Sequence, residues 1–253
     1  MVRSRHLFLL VALAGVAIRA QEAFKVLEGA RFRGGLIVHL GCGAASADAT
    51  GAGALTVALR ATDTTVVLGL DQDAADVVAT RAAARLAGLA GAVRAEQLIG
   101  AQLPLVDNLA SLLVVSDPSG IEQSEILRVV APGGALLSRV NGRWEKTVKP
   151  WPTTIDEWTH YLRDASNNAV ARDTVVGPPR YTQWVNAPLW TRTHHKLNAI
   201  SSVVTENGRL FTLADLATAA TTAVPGDWNL IARDAFSGVE LWRKPVADWA
   251  AYG

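Results

Sequence analysis

The sequence predicts an α/β protein: a doubly wound parallel sheet comes first, and a separate all-β module follows it. Short apolar runs alternate with helical stretches as far as about residue 140, the pattern of a parallel sheet covered on both faces. All eight tryptophans instead lie between Trp144 and Trp249, in a region with turn signals and short strands. We therefore predict a first module at 34–145, a connector at 146–195 and a β module at 196–253, with Lys149-Pro150-Trp151-Pro152 near the boundary.

Composition limits the classes of function. The chain has 253 residues, half of them hydrophobic, which is enough for a buried core. Its formal net charge is +1, and its arginines and lysines are scattered rather than clustered. A nucleic-acid-binding protein usually shows a basic stripe, so we predict no nucleic-acid partner.

The N-terminal segment has the pattern of a secretory signal peptide over residues 1–20, followed by a linker at 21–33. Arg3 and Arg5 precede the apolar run Leu7–Ile18, which ends at Arg19-Ala20-Gln21. A bilayer span needs roughly 20 apolar residues, so this run is short for one. We predict an exported protein, periplasmic or extracellular; an uncleaved membrane anchor is the alternative. Cys42 is the only cysteine, so stability must come from the core and not from a disulfide.

In the first module, each element follows from a local pattern. Apolar runs predict four buried strands, and the intervening stretches predict three helices. Asp71 or Asp73 can cap the second helix, and Pro132-Gly133-Gly134 forms the turn before the last strand. The predicted strands are Leu36–Leu40, Thr65–Leu70, Ala110–Ser116 and Ala135–Val140, and the helices are Gly53–Arg60, Ala74–Leu86 and Ile121–Val130.

The second module shows four short strand patterns separated by turn signals. Asn207-Gly208 between two of them predicts a hairpin, because both central residues of a type I′ turn need positive φ. Pro225-Gly226 and Ser237-Gly238 separate the others. The predicted strands are Ser201–Thr205, Arg209–Ala214, Asn229–Asp234 and Val239–Lys244.

A glycine loop and an acid follow the first two strands. Gly41-Cys42-Gly43 comes directly after the first strand, where glycines let the backbone approach a ligand. Asp71 ends the second strand, and its carboxylate can accept hydrogen bonds from two ribose hydroxyls. In open α/β sheets, ligands bind at the carboxyl ends of the strands, so this pair predicts a nucleoside site. A tight turn beside an exposed aspartate would give the same pattern.

Four segments of the first module resemble successive motifs of class I S-adenosylmethionine (SAM)-dependent methyltransferases, which have a Rossmann-like fold. The resemblance implies that Gly41, Cys42 and Gly43 line the methionine end of SAM, and that Asp71 holds its ribose. It makes SAM the expected cofactor, bound weakly. The segments are Val38-His39-Leu40-Gly41-Cys42-Gly43, Leu68-Gly69-Leu70-Asp71, Leu103-Pro104-Leu105-Val106-Asp107-Asn108 and Glu125-Ile126-Leu127-Arg128-Val129-Val130-Ala131-Pro132-Gly133-Gly134.

The sequence departs from that family at three positions. His39 stands where the glycine motif usually begins with an acid, Ala45 replaces the third glycine, and Ile99 stands where an acid contacts the adenine. Little chain remains after Val140 for the last two strands of a full methyltransferase sheet. No catalytic residue is identified: we interpret Asp117, in Ser116-Asp117-Pro118-Ser119, as a turn residue.

The second module resembles the repeat of PQQ-like β-propellers. Ile231–Trp242 has the strand, the Asp-x-x-Ser-Gly turn and the Leu-Trp strand of that repeat, with Trp242 expected to dock between blades. Asp156–Tyr161 and Val176–Arg180 resemble the lead-in of exported propeller proteins that carry a methyltransferase-like domain. A propeller needs about four blades, so we predict a partial propeller that binds no PQQ. Its Trp-rich surface predicts self-association or a protein partner.

Histidines suggest no metal site. His194 and His195 are adjacent and would point apart on a strand, and His160 has no cluster of cysteines or carboxylates at ligand spacing. We predict no bound metal. The functional hypothesis is an exported two-module binding or scaffold protein with a partly degenerate SAM-type pocket; the alternative is an active SAM-dependent methyltransferase of unknown acceptor.

Overall fold

The protein divides into two compact units, Met1–Pro150 and Trp151–Gly253. The computed structural model describes residues 18–43, 52–118, 120–175, 177–178, 182–186, 199–217 and 225–246. Most of the predicted signal segment and the loop at 44–51 lie outside these ranges. None of the described helices has both the length and the apolar character to cross a membrane.

The first unit contains a six-stranded sheet in the order β3-β2-β1-β4-β5-β6. Strands β1 to β5 are parallel, and β6 pairs antiparallel with β5. The strands are β1 Gly35–Leu40, β2 Thr65–Asp71, β3 Val93–Gln97, β4 Ala110–Val115, β5 Val130–Val140 and β6 Arg143–Val148. The prediction of a parallel α/β sheet is confirmed.

Helices cover both faces of this sheet. Helix α1 occupies residues 18–30, and α2 (Ala54–Ala58), α3 (Ala74–Leu86) and α4 (Gln123–Val129) follow. Asp73 caps α3, because its side chain accepts a hydrogen bond from the backbone N–H of Ala75. Helix α1 includes most of the segment for which the sequence predicted a linker. Ala23 and Val26 of α1 are buried in the core, which explains why this segment is ordered.

Neighbouring residues of β1 enter different cores, because side chains alternate between the faces of a strand. Ile37 packs in a core with residues of α1, α2 and α3, including Leu55 and Leu59. Val38 packs on the opposite face in a second core that contains Ile126 of α4. The sheet is therefore doubly wound.

The second unit contains a four-stranded antiparallel meander in the order β10-β9-β8-β7. Its strands are β7 Ile200–Glu206, β8 Arg209–Asp215, β9 Trp228–Asp234 and β10 Glu240–Pro245. Asn207 and Gly208 have φ values of 49° and 69°, as a type I′ turn requires. The predicted hairpin is confirmed, and each of the four strands lies within about one residue of its predicted position.

Two strands of the first unit were not predicted. Strand β3 alternates buried and exposed residues, and β6 is exposed along most of its length. Both lie at the edges of the sheet. Edge strands carry polar side chains, so they lack the continuous apolar run that identified the central strands. The sequence indicated that little chain remained after Val140 for further strands of this sheet. Strand β6 nevertheless extends the sheet beyond that residue.

Candidate functional site

The candidate site lies at the carboxyl ends of β1, β2 and β4. Strand β1 has β2 on one side and β4 on the other, so the order of the sheet reverses at β1. Open α/β sheets bind their ligands beyond the strand ends at such a reversal. The glycine loop follows β1, Asp71 ends β2, and Ser116 follows β4.

The structure brings Asp71 against the glycine loop. One carboxylate oxygen of Asp71 (Oδ2) accepts a hydrogen bond of 2.9 Å from the backbone N–H of Gly43. The other oxygen (Oδ1) accepts a hydrogen bond of 3.1 Å from the backbone N–H of Asp73. Asp71 is buried, with 7% of its surface exposed. A carboxylate offers about four lone-pair sites, so these two bonds leave acceptor capacity for the hydroxyls of a ribose.

The two glycines are also required by the chain's own packing. Gly41 has a φ of 75°, and a Cβ there would lie 2.7 Å from the backbone nitrogen of Asp117. A Cβ on Gly43 would collide with the carboxylate of Asp76. Burial and the nearby Asp71 and Asp73 raise the pKa of Asp76. In the sequence, the approach of a ligand was the reason for these glycines. The structure adds a second reason: α3 packs closely against Gly43, and the residue after β4 packs closely against Gly41.

The side chain of Cys42 is a packing group. It is buried, it lies against Gly69, and its Sγ accepts a hydrogen bond of 3.6 Å from the hydroxyl of Thr80. Burial raises the pKa of the thiol to about 11, so the thiol is protonated at neutral pH. Any contact of Cys42 with a ligand would therefore come from its backbone.

His39 lies beneath the loop and is completely buried. Its Nδ1 is 2.8 Å from the hydroxyl oxygen of Thr56 on α2, and its Nε2 is 2.8 Å from that of Ser116. The Thr56 hydroxyl also donates to the backbone oxygen of Cys42, at 3.3 Å. Burial lowers the pKa of His39 to about 4, so the imidazole is neutral at pH 7.

The other residues singled out in the sequence lie apart from this group. Ile99 is 83% exposed, in the segment after β3. Asp117 is exposed, and its backbone packs against Gly41. Ala45, Ser119, His194 and His195 lie outside the described residues. Within the described ranges, no group of three or more His, Cys, Asp or Glu side chains could hold a metal ion.

Sequence reasoning missed Thr56, Asp76 and the role of Ser116. Thr56 is a fully buried hydroxyl in an otherwise apolar helix, and Ser116 directly follows the apolar run Leu112–Val115 of β4. The signal that could have identified Thr56 and Ser116 in the sequence was a polar residue that interrupts or ends an apolar run. A cavity of about 790 Å³, lined by Phe24, Arg31 and Thr62 among others, lies at the amino ends of β1 and β2 and shares no residue with this site.

No protein-family model matches the chain, and no curated protein matches it in sequence. Solved structures that are similar to it include SAM-dependent methyltransferases, each over about half of this chain. One such structure, from Methanococcus maripaludis, is assigned as a methyltransferase of this kind and has 21% sequence identity to this chain. The match covers 48% of this chain and 55% of the Methanococcus chain, with a TM-score of 0.42.

Two other solved structures have similar sequence identities, coverages and TM-scores. A SAM-dependent methyltransferase from Aquifex aeolicus is 19% identical, with 46% and 62% of the two chains covered and a TM-score of 0.37. Geranyl diphosphate C-methyltransferase from Streptomyces coelicolor, solved with S-adenosyl-L-homocysteine, is 18% identical, with 47% and 44% covered and a TM-score of 0.39. The chain thus spans about half the length of the solved structures that it matches.

Proposed function

We propose that the first unit binds an S-adenosyl nucleoside in the crevice beyond β1, β2 and β4. The observation that carries this proposal is the contact between the Asp71 carboxylate and the N–H of Gly43, at 2.9 Å. This contact supports the proposal because the carboxylate, which can accept hydrogen bonds from ribose hydroxyls, lies directly beside the glycine loop. The reversal of strand order at β1 puts this pair where α/β sheets bind nucleotides.

The reaction that fits this ligand is methyl transfer to an acceptor whose identity the crevice does not specify. When bound, SAM supplies an electrophilic methyl group. The chain's own residues would hold the ribose at Asp71, orient the nucleoside along the Gly41–Gly43 backbone and fix the acceptor. Methyl transfer depends mainly on positioning and approach, so the site needs no strong general base. Binding without transfer, as a scaffold, is the other outcome that the sequence suggested.

Calorimetry on the full chain tests the proposal. We expect weak but measurable binding of SAM and of S-adenosylhomocysteine. Asp71→Ala should lower both affinities about tenfold or more, because a charge-assisted hydrogen bond contributes about 1.5–3 kcal/mol and 1.4 kcal/mol is about tenfold. The affinity of Asp71→Asn should lie between those of the unmodified protein and Asp71→Ala, because its amide oxygen can still accept one hydrogen bond.

Asp63→Asn is the matched control, since Asp63 is fully exposed and its ion pair is with Arg60, at 3.2 Å. It should leave binding unchanged. Melting curves show whether each variant is folded, because Asp71 also holds the loop. Tight binding that Asp71→Ala does not alter would place the nucleoside elsewhere and refute the proposed site.

For the second unit, we propose a blade of a PQQ-like propeller that associates with a protein partner or a second copy. Its meander topology and the Asp234–Gly238 turn support this proposal. Trp242 is 42% exposed and leaves an aromatic surface for association. Light scattering on the full chain tests it: a monomer at every concentration contradicts self-association.

Export stays a proposal from the N-terminal pattern, and a native N-terminus near Gln21 would support it.

A further inference from the structure

The cavity at the amino ends of β1 and β2 lies at the opposite end of these strands from the candidate nucleoside site. Its wall is formed by the last two turns of α1, the segment that leads into β1, and the loop between α2 and β2. Its volume is about 790 Å³. Small-molecule sites in proteins have volumes of about 300–1,000 Å³, so the cavity is large enough for an organic ligand.

The end of helix α1 forms the apolar side of the cavity. The backbone N–H of Phe32 donates to the oxygen of Leu27 at 3.0 Å, and the N–H of Arg31 donates to that of Glu28 at 2.9 Å. These are the two bonds of a Schellman motif, in which the outer pair of side chains meets in an apolar contact. Leu27 and Phe32 are half-buried against the core, and Phe24, one turn earlier, is 63% exposed. These three side chains offer an apolar surface to a ligand.

Arg31 has a backbone conformation that favours glycine. Its φ is 55°, in the left-handed region, at the position where a Schellman motif usually has glycine. A side chain there is strained, because its Cβ approaches the following carbonyl oxygen. The Arg31 side chain is exposed and lines the cavity. Glycine would end the helix with less strain, so the arginine is explained better by what its side chain binds than by the fold.

The charges along the cavity favour a monoanion. The charged residues that line it are two arginines, Arg31 and Arg33, and one acid, Glu28. They leave one net positive charge, which suits a singly charged anion better than a cation or a dianionic phosphate. A guanidinium group also holds a carboxylate by two parallel hydrogen bonds, a geometry that the planar carboxylate matches.

Threonine hydroxyls add a hydrogen-bond donor on the side of β2. The hydroxyl oxygen of Thr62 lies 2.9 Å from that of Thr64 and 3.0 Å from that of Thr65. Thr65 is buried, and donating to Thr62 satisfies its hydrogen. The two contacts use two of the three hydroxyl hydrogens, so the third remains at Thr62 or Thr64 for a ligand.

We propose that this cavity binds an amphipathic organic carboxylate. Its apolar body lies on Phe24, Leu27 and Phe32, and its carboxylate accepts hydrogen bonds from Arg31 and from the threonine hydroxyls. Arg31 is thus a binding residue placed at the end of α1 in spite of its backbone strain. The site is independent of the proposed nucleoside site.

Three probes with the same eight-carbon chain test the charge of the ligand: octanoate, 1-octanol and octylammonium. NMR titration of the full chain should show saturable shifts with octanoate, with a Kd of about 1 mM or lower. We expect 1-octanol to bind about fivefold more weakly, and octylammonium more weakly still, because exposed charge pairs contribute up to about 1 kcal/mol. Equal affinities for octanoate and octylammonium overturn the proposal. Tighter binding of octyl phosphate than of octanoate contradicts a carboxylate ligand.

Two variants separate the head of the ligand from its body. Arg31→Gly should lower the affinity for octanoate about fivefold and leave that for 1-octanol unchanged. Its melting temperature should be unchanged or higher, because glycine adopts positive φ without strain. Phe24→Ala should weaken octanoate and 1-octanol by the same factor. Arg143→Gln is the matched control: Arg143 is exposed and pairs with Val140, at the carboxyl end of β5, so neither affinity should change. A lower melting temperature in Arg31→Gly would show that the arginine serves the fold, and contradicts the proposal.

Competition separates this cavity from the nucleoside site. Octanoate should bind equally well to the unmodified chain, to the chain with excess S-adenosylhomocysteine and to Asp71→Ala. Displacement of octanoate by S-adenosylhomocysteine would place it beyond the carboxyl ends of the strands and overturn the proposal. Failure of the chain to bind S-adenosylhomocysteine contradicts only the proposed function, because the octanoate titration and Arg31→Gly still decide what binds in the cavity.

Discussion

His39 shows how an ionisable side chain is accommodated at the centre of the sheet. Both ring nitrogens have hydroxyl partners, at 2.8 Å each, so the buried neutral ring leaves no polar atom unsatisfied. The charged ring would have no counter-ion among these partners. Burial therefore lowers its pKa from 6.5 to about 4.

This lowered pKa predicts a loss of stability on mild acidification. The unfolded chain takes up the proton first as the pH falls below about 6.5, while the folded protein resists protonation until about pH 4. The stabilisation is thus complete above pH 6.5 and declines toward pH 4. We expect the free energy of unfolding to fall by about 2 kcal/mol between pH 7 and pH 5, measured by urea denaturation.

His39→Gln provides the control for that measurement. It removes the titrating group and keeps hydrogen-bonding atoms, so its stability should change much less across the same interval. Most carboxylates remain ionised above pH 5, which keeps acid denaturation out of the comparison. An equal pH dependence in both proteins would mean that another group causes it.

In the second unit, one segment secures the turn between β9 and β10. Asp234 accepts hydrogen bonds from the backbone N–H and the hydroxyl of Ser237, at 2.8 and 2.7 Å, which closes the turn. Trp184 lies over Gly238, and its indole N–H donates to the oxygen of Ala235 at 3.0 Å. Asn186 donates to the oxygen of Gly238 at 2.6 Å. The turn needs glycine at position 238 because φ is 70° and the indole occupies the space of a Cβ.

Trp184→Ala should therefore destabilise the second unit. The substitution removes both the packing over Gly238 and the indole hydrogen bond, and we expect a loss of about 1–3 kcal/mol. Limited proteolysis should show faster cleavage around residues 235–238. Val185→Ala is the matched control, because Val185 is 77% exposed, and should have little effect. Equal cleavage rates in the two variants would contradict a stabilising role for the indole.

At the scale of the whole molecule, the two units differ in how much apolar core they contain. In the described part of the second unit, the buried apolar residues are Ala214, Ile231 and Ala232. The first unit contains two large cores, one on each face of its sheet. Burial of apolar surface is the main stabilising contribution to folding, so the first unit should be the more stable.

We expect the two units to unfold in separate steps. Seven of the eight tryptophans belong to the second unit, whereas all described helices belong to the first. In urea, the tryptophan fluorescence should change at a lower concentration than the helical circular dichroism. Trp144→Phe removes the one fluorophore of the first unit and should sharpen this difference. Coincident transitions would show that the chain unfolds as one cooperative unit.

Much of the fold could be predicted because its signals are local. The central strands are unbroken apolar runs, Asp73 caps α3, and Asn207-Gly208 forms its hairpin, each within a few residues of chain. The proximity of the glycine loop to Asp71 could also be predicted, since the loop follows β1 and Asp71 ends the neighbouring parallel strand β2, and Gly43 does contact Asp71. The edge strands β3 and β6 could not, because β3 has polar residues on one face and β6 is exposed along most of its length.

The sequence by itself determined the central strands of the first unit, the helices α2 to α4, the four strands of the second unit and its tight turns, because these depend on side-chain periodicity and on backbone preferences of single residues. Only the tertiary structure decided the partners of the polar groups. His39 meets hydroxyls that lie 17 and 77 residues away, and Trp184 meets a carbonyl 51 residues away. Contacts over such separations leave no periodic trace in the sequence, because they arise only when the strands and helices pack together.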